Sequence, residues 1–199
     1  MNIRELKLGN YLTLFDFCTC TQTYKKYDDQ INPFPQNLLE VIPAIQNLNK
    51  FILDPVIDFF GKEKFRLTYG FCSQDLKKYL EKKDPVTGKK NGRVAPELDQ
   101  HMAYEVKSNG KYYCKRLGAA CDFLITDLPS EQLVEWIVRS RLPFDSIYFY
   151  GTERPIHISY GPQQKRDIWT FTDSLTPTKK GIEHWVELAK QISAIALTK

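Results

Sequence analysis

The sequence has no apolar run long enough to cross a membrane, and its start, MNIRELKLGNYLTLFDF, lacks the apolar stretch and small-residue cleavage site of a secretory leader. We therefore expect a cytoplasmic protein that does not insert into membranes. Internal repeats are also missing. Since the chain has 199 residues, of which 42% are hydrophobic, it can bury the core of one compact domain, and we expect a single domain over residues 1–199.

A dense basic stripe, which phosphate-backbone binding usually leaves in a sequence, is missing as well. The 28 lysines and arginines face 24 aspartates and glutamates, and the net charge of +4 is spread along the chain. The composition therefore gives no strong indication of a nucleic-acid partner.

Cysteines are few, odd in number and never spaced as C-x-x-C. The five are Cys18, Cys20, Cys72, Cys114 and Cys121. This pattern predicts reduced thiols rather than a disulfide framework. Cys18 and Cys20 are close enough in sequence to bind a metal, but we interpret them as two small, half-buried side chains.

The apolar periodicity predicts an α+β fold with a small mixed or mainly antiparallel sheet flanked by helices. Helical spacing in PQNLLEVIPAIQNLNKFILDPVIDFFG, with bends at Pro43 and Pro55, predicts an N-terminal helical layer over about residues 1–60. The segments EKFRLTYGF, AACDFLIT, SIYFYG and IHISYG alternate like strands and predict a sheet over about residues 62–170.

Helices and a hairpin complete the predicted fold. SQDLKKYLEKK and PSEQLVEWIVRSRL have helical periodicity behind capping residues, and a closing helix is expected over about residues 178–197. Two β-prone runs flank Asn109-Gly110, which predicts a hairpin with a type I′ turn.

Histidine is scarce, with three residues in the chain. His184 lies in the predicted last helix beside Trp185, where an ordinary helical side chain is the simplest interpretation. His157 lies in the strand RPIHISYG, and His101 lies at the boundary between a loop and the predicted hairpin. A fourth candidate is Asp122, which ends the small-residue run RLGAACDF.

Two neutral imidazoles and one carboxylate are three good ligands for zinc. They leave the fourth tetrahedral position open for water, which is typical of catalytic zinc rather than of structural zinc with four protein ligands. We therefore expect His101, Asp122 and His157 to bind one zinc ion.

At these residues the chain resembles the zinc D-alanyl-D-alanine carboxypeptidases and peptidoglycan endopeptidases with the hedgehog-type peptidase fold. Their pattern is S-x-H-x-x-G-x-A-x-D, followed by H-[IV]-S on a later strand. Residues 99–101 are similar to its first part, residues 118–122 to its second and residues 157–160 to its third. FRLTYGFCS resembles R-[IV]-x-S-G-[YF]-R-S, and LPFDSIYFY resembles F-D-x-[IL]-I, so the likeness covers roughly residues 10–170.

The resemblance implies a zinc-dependent metallopeptidase that hydrolyses a peptide or amide bond, with peptides or peptidoglycan fragments containing D-amino acids as substrates. It implies that the small residues before Asp122 let the strand pass close to the metal. A carboxylate must also take a proton from water. Glu153, shortly before His157, is the expected base, and Asp145 is the alternative.

The chain departs from the family pattern between its first two parts. When the family pattern is aligned without a gap, Lys115 falls at the first ligand position. An ammonium group there offers no lone pair to a metal. We prefer the register with His101, because the inserted stretch is itself a predicted hairpin.

A second departure concerns the substrate. Cys72 stands where the family has an arginine that would bind a carboxylate of the peptide. The expected substrate contacts are therefore other side chains, namely Arg66, Ser73, Arg116 and Tyr160, with Tyr150 or Tyr160 as a hydrogen-bond donor to the oxyanion.

Two alternatives remain open at this point. A weak or inactive member of the same fold would act as a binding module. A phage-type endolysin would lack a signal peptide and would reach the cell wall only after the membrane has been permeabilised.

Overall fold

The structure, a computed structural model, describes residues 2–92, 94–171, 177–181, 184, 185 and 187. Helices dominate its first 60 residues: a 3-10 turn over Ile3–Glu5, α1 over Leu14–Thr19, α2 over Gln22–Lys26, α3 over Leu38–Leu48 and α4 over Asp54–Phe60. A π-helical turn, Asn49–Leu53, joins α3 to α4 directly before Pro55, which lacks the N–H that a regular helix would use there. Pro43, the other predicted bend, lies inside α3.

The sheet has six strands in the order β1-β2-β4-β3-β5-β6, and only the β3–β5 pair is parallel. The strands are β1 Phe65–Tyr69, β2 Ala119–Ile125, β3 Ser146–Phe149, β4 Ile156–Tyr160, β5 Asp167–Phe171 and β6 Pro177–Lys180. The helix α5 spans Gln74–Glu81 and α6 spans Ser130–Arg139. The predicted α+β class with a mainly antiparallel sheet is confirmed. Within the described ranges, no helix has the length and hydropathy of a membrane span.

One face of the sheet forms the main core with α3, α4 and α6. Alternation along β2 and β4 puts apolar side chains on this face, and α3 and α6 bury their own apolar stripes against it. The central residues are Cys121, Phe123, Ile125, Ile156, Ile158, Val41, Ile45, Leu48, Leu133 and Ile137. The alternate side chains of β2 and β4, among them Asp122 and His157, therefore lie on the opposite face of the sheet.

The predicted hairpin is smaller than expected and has a different turn. Only one isolated bridge, Val106 to Tyr112, joins its two arms. Gly110 is left-handed with φ 79, but Asn109 is not, so the turn is not type I′. The N–H of Gly110 donates to the Lys107 carbonyl at 2.9 Å, which is typical of a type I turn followed by a left-handed glycine.

The start of the predicted C-terminal helix is a strand. Pro177–Lys180 form β6, which pairs antiparallel with the otherwise free edge of β5. The ammonium of Lys179 forms an ion pair with Asp167 at 2.5 Å and lies over the ring of Trp169. These edge contacts outweigh the helical pattern read from the sequence. His184, Trp185 and Glu187 have helical backbone, and the rest of the predicted helix lies outside the described residues.

Candidate metal centre

His101, Asp122 and His157 meet on the sheet face opposite the core. Asp122 and His157 are directly opposite each other in the β2–β4 pairing, so their side chains share one face. His101 comes from the long loop between α5 and β2. One ligand atom from each of the three residues lies within 4.8 Å of the others. The predicted grouping is confirmed, and the three side chains could hold a metal ion.

A glycine just before β2 and one just after β4 allow the two backbones to pack closely. Gly118 has φ 133, and a Cβ atom there would lie 2.2 Å from the Tyr160 carbonyl oxygen. A Cβ atom on Gly161 would lie 2.2 Å from the Leu117 carbonyl oxygen. Gly118 is therefore required for packing against the end of β4. The expected approach of this segment to the metal stays a prediction.

His101 is buried and held in one orientation. Its Nδ1 lies 2.7 Å from the carbonyl oxygen of Gly70. Because a carbonyl only accepts, Nδ1 carries the proton and donates it. Its Nε2 faces Asp122, 3.3 Å from Oδ1. Histidines that bind metals usually donate their second nitrogen to a backbone carbonyl or carboxylate in this way.

His157 is also buried, and one of its nitrogens is left without a partner. Its Nδ1 lies 2.9 Å from Asp122 Oδ1, and the ring of Tyr148 stacks on the imidazole at 4.5 Å between centroids. Its Nε2 has no hydrogen-bond partner among the described residues. Buried polar atoms are nearly always paired, so this nitrogen is a second sign of a site that takes a ligand.

The three side chains shift each other's pKa values. Burial alone would lower the pKa of His101, but the charge of Asp122 and its hydrogen bond raise it to about 9. Burial alone would raise the pKa of Asp122, and His101 outweighs it and lowers that pKa well below the usual range. For His157 burial dominates and lowers the pKa. At neutral pH without metal, the site is an ion pair of His101 and Asp122 beside a neutral His157.

The structure favours His101 over Lys115 as the first ligand. Lys115 is exposed and lies outside the cluster. Cys18 and Cys20 are also outside it, and all five cysteines are free thiols. Burial raises the pKa of Cys20 to about 12, so this thiol is not a ready metal ligand.

The two expected bases lie in different surroundings. Glu153 is exposed in the turn before β4, lines a groove with residues 124–130, and makes no hydrogen bond or ion pair in the described part of the chain. Asp145 is buried. Its carboxylate accepts hydrogen bonds from Gln100 Nε2 at 3.1 Å and from the Lys165 N–H at 3.3 Å, so both of its oxygens are engaged.

Three of the four expected substrate contacts have other partners. Arg66 is exposed on the edge strand β1. The Ser73 hydroxyl caps α5 by accepting the Leu76 N–H at 3.1 Å. Tyr160 points to the helical face of the sheet, where its ring stacks on Phe51 at 5.4 Å.

Arg116, the fourth expected substrate contact, is connected to the metal centre through Tyr148. Its guanidinium donates to Tyr148 Oη at 2.8 Å and to Ser146 Oγ at 3.3 Å. Tyr148 in turn stacks on His157. The described residues provide no carboxylate within ion-pair distance of Arg116, so its charge is uncompensated there.

Sequence reasoning missed two neighbours of the histidines. Tyr148 is one, because its contact with His157 depends on β3 lying beside β4. Asp99 is the other: its Oδ1 accepts the His101 N–H at 3.3 Å, and after burial and Asp122 its charge adds to the raised pKa of His101. The only sequence signal for Asp99 is its position two residues before a candidate ligand.

Comparison with known proteins gives no relative. No protein-family model matches the chain, and no match was found among curated proteins or among solved structures.

Proposed function

We propose that this chain is a zinc-dependent metallopeptidase that hydrolyses a peptide or amide bond. The observation that carries the proposal is the convergence of His101 Nε2, one carboxylate oxygen of Asp122 and a nitrogen of His157. Two nitrogens and one oxygen suit zinc, and three protein ligands are the number found in catalytic rather than structural zinc sites.

The surroundings of the ligands fit this chemistry. Gly70 fixes the His101 tautomer. The neutral His157 donates its Nδ1–H to Asp122, so its unpartnered Nε2 has a lone pair that a bound group would satisfy. When bound, zinc would polarise a scissile carbonyl and activate water as a nucleophile. Asp122 and His101 would each give up their mutual ion pair to hold the ion.

A carboxylate near the site must move the proton from water to the leaving nitrogen. The family resemblance assigns this role to Glu153, whose exposed carboxylate has no competing partner in the described chain. Its rival is Asp99, because Asp99 contacts the backbone of His101. Asp145 is a weaker candidate, since its two oxygens already accept hydrogen bonds.

Substrate recognition is proposed to use Arg116. Two of its N–H groups are engaged by Tyr148 and Ser146, and its remaining donors have no acidic partner among the described residues. A guanidinium in this state can receive a carboxylate of a peptide. This would replace the arginine that the family has at Cys72, and peptides of the peptidoglycan type are the substrates that the resemblance suggests.

The test is hydrolysis by the zinc-loaded protein of muropeptides and of a broad panel of peptide amides, with chelator-treated protein as the control. Zinc-dependent cleavage of any member supports the proposal. A stoichiometric zinc site with no cleavage would favour the binding-module alternative instead. Cleavage of intact cell walls without cleavage of the soluble muropeptides and peptide amides would favour the endolysin alternative.

A further inference from the structure

Gln100, the residue before His101, has an unusual backbone and a buried side chain. Its φ is 59, in the left-handed region that residues other than glycine rarely adopt, and its exposed fraction is 1%. Such a conformation persists only where the surroundings hold it. The structure therefore fixes this residue although its own backbone preference opposes it.

Two contacts hold the Gln100 amide. Its Nε2 donates to the Leu117 carbonyl at 2.9 Å and to Asp145 Oδ2 at 3.1 Å. Leu117 lies just before β2, and Asp145 lies just before β3. Asp145 is itself fixed, since its backbone N–H donates to the Ser159 carbonyl of β4 at 2.8 Å. The side chain thus connects the His101 loop to three central strands.

The space between this connection and Gly161 is filled. A Cβ atom on Gly161 would lie 2.4 Å from Asp145 Oδ2 and 3.2 Å from Gln100 Nε2. The carboxylate and the amide therefore have little freedom to move towards β4.

His101 needs such support, because the loop that carries it has little regular structure. Between α5 and β2 the described chain contains turns and isolated bridges only. On its other side, His101 is tied to the end of β1, where its carbonyl accepts the Cys72 N–H at 3.1 Å and its Nδ1–H donates to Gly70. The hydrogen bonds of Gln100 attach the other side of the loop to the starts of β2 and β3.

We propose that Gln100, held by Asp145, is a positioning residue that sets His101 in place for metal binding. The inference rests on the metal site of the proposed function and extends it to a residue that does not touch the metal. It also gives Asp145 a role other than that of a base.

Gln100→Gly is the decisive variant, because glycine accepts the left-handed backbone while the amide is lost. Asp127→Gly is its control: Asp127 also has a positive φ, 62, but it is exposed and follows β2 at the end of that strand opposite Leu117. Zinc affinity is measured by competition with a chelator, and the absorption spectrum of the cobalt(II)-substituted protein reports the ligand geometry.

The expected result for Gln100→Gly is a zinc affinity lowered by roughly 10- to 100-fold, as for other outer contacts of metal ligands, with a changed cobalt spectrum. Asp127→Gly should match the parent in both. Asp145→Ala should lower the affinity to a similar extent, and the double variant should lose little more, since the two residues act as one unit.

Two results would overturn the inference. One is a parent that binds zinc while Gln100→Gly binds it equally well with an unchanged cobalt spectrum. The other is an equal loss in Asp127→Gly, which would indicate a general backbone effect. A parent that binds no zinc would instead remove the proposed metal site itself. If Asp145→Ala does not fold, the comparison of the two glycine variants still decides.

Discussion

At the scale of single residues, the centre depends on Asp122 standing between two histidines of different character. One oxygen of its carboxylate faces both imidazoles. His101 is held by a backbone carbonyl and is charged in the metal-free protein, whereas His157 is neutral and keeps a buried nitrogen unpaired. The pKa of His157 is lowered because burial dominates there and the neighbouring charge of His101 adds to its effect.

The ion pair predicts how the stability of the metal-free protein depends on pH. The pKa of His101 is about 9 in the folded state against an ordinary 6.5, so its contribution is complete below pH 6.5 and is lost as the pH rises through about 9. The lowered pKa of Asp122 works in the other direction, and its contribution is lost only in acid. In chelator, the melting temperature should therefore fall between pH 6.5 and pH 9.

The control for this pH dependence is His101→Gln, which cannot titrate and should lack that component of the fall. Thermal melts at half-unit pH intervals provide the measurement. Parallel curves for the parent and the variant across this window would contradict the assigned ion pair.

The proposed role of Glu153 as the base gives a second prediction for single residues. Glu153→Gln should keep zinc, since Glu153 is not a ligand, and should lose hydrolysis by the roughly 10²- to 10⁴-fold that general acid–base catalysis contributes. Zinc content and turnover of the variant are measured together. Asp99→Asn is the comparison. A loss confined to Asp99→Asn would move the role of base from Glu153 to Asp99.

At the scale of elements, strand pairing and one loop bring the ligands together. Alternation in AACDFLIT and IHISYG was enough to predict both strands. In the structure this alternation puts Asp122 and His157 on the face away from the core. Their direct pairing was not predictable, because register depends on partners distant in sequence. The strand β6 was predicted as the start of a helix because its pairing with β5 is not part of the local pattern. The turn at Gly110 was predicted with the wrong type.

The loop that carries His101 is also anchored to the helical layer, by Glu105. This carboxylate is fully buried and accepts the backbone N–H groups of Gln36 and Asn37, at 2.7 and 3.1 Å, at the start of α3. It also accepts the Gln74 amide at 2.7 Å. Glu105 thus joins the loop to both α3 and α5.

Removal of this anchor should destabilise the protein. Glu105→Ala leaves buried donors unpaired, which costs about 1–3 kcal/mol for each such group, and the expected loss in unfolding free energy is about 2 kcal/mol or more. Glu97→Ala is the control, since Glu97 is exposed and its one ion pair among the described residues is with Lys107, and its effect should stay below about 1 kcal/mol. Urea unfolding in chelator measures both. Equal midpoints for the two variants would show that Glu105 is not an anchor.

At the scale of the whole molecule, the architecture was easier to predict than the site. Composition and periodicity were sufficient for an α+β chain with a mainly antiparallel sheet, because each strand buries one face against helices. The three ligands were predictable because the chain has three histidines, and two of them lie with Asp122 in segments that resemble known ligand motifs. Tyr148 and Gln100 were not, since their roles arise from the order of strands and from contacts between distant loops.

The central claim is that His101, Asp122 and His157 hold one metal ion. Its most direct test is the zinc content of the protein purified without added metal and then reloaded, measured by mass spectrometry for the parent, His101→Ala and Lys115→Ala. The account predicts one zinc per chain for the parent and for Lys115→Ala, and none for His101→Ala. Zinc retained by His101→Ala, or lost by Lys115→Ala, would contradict it.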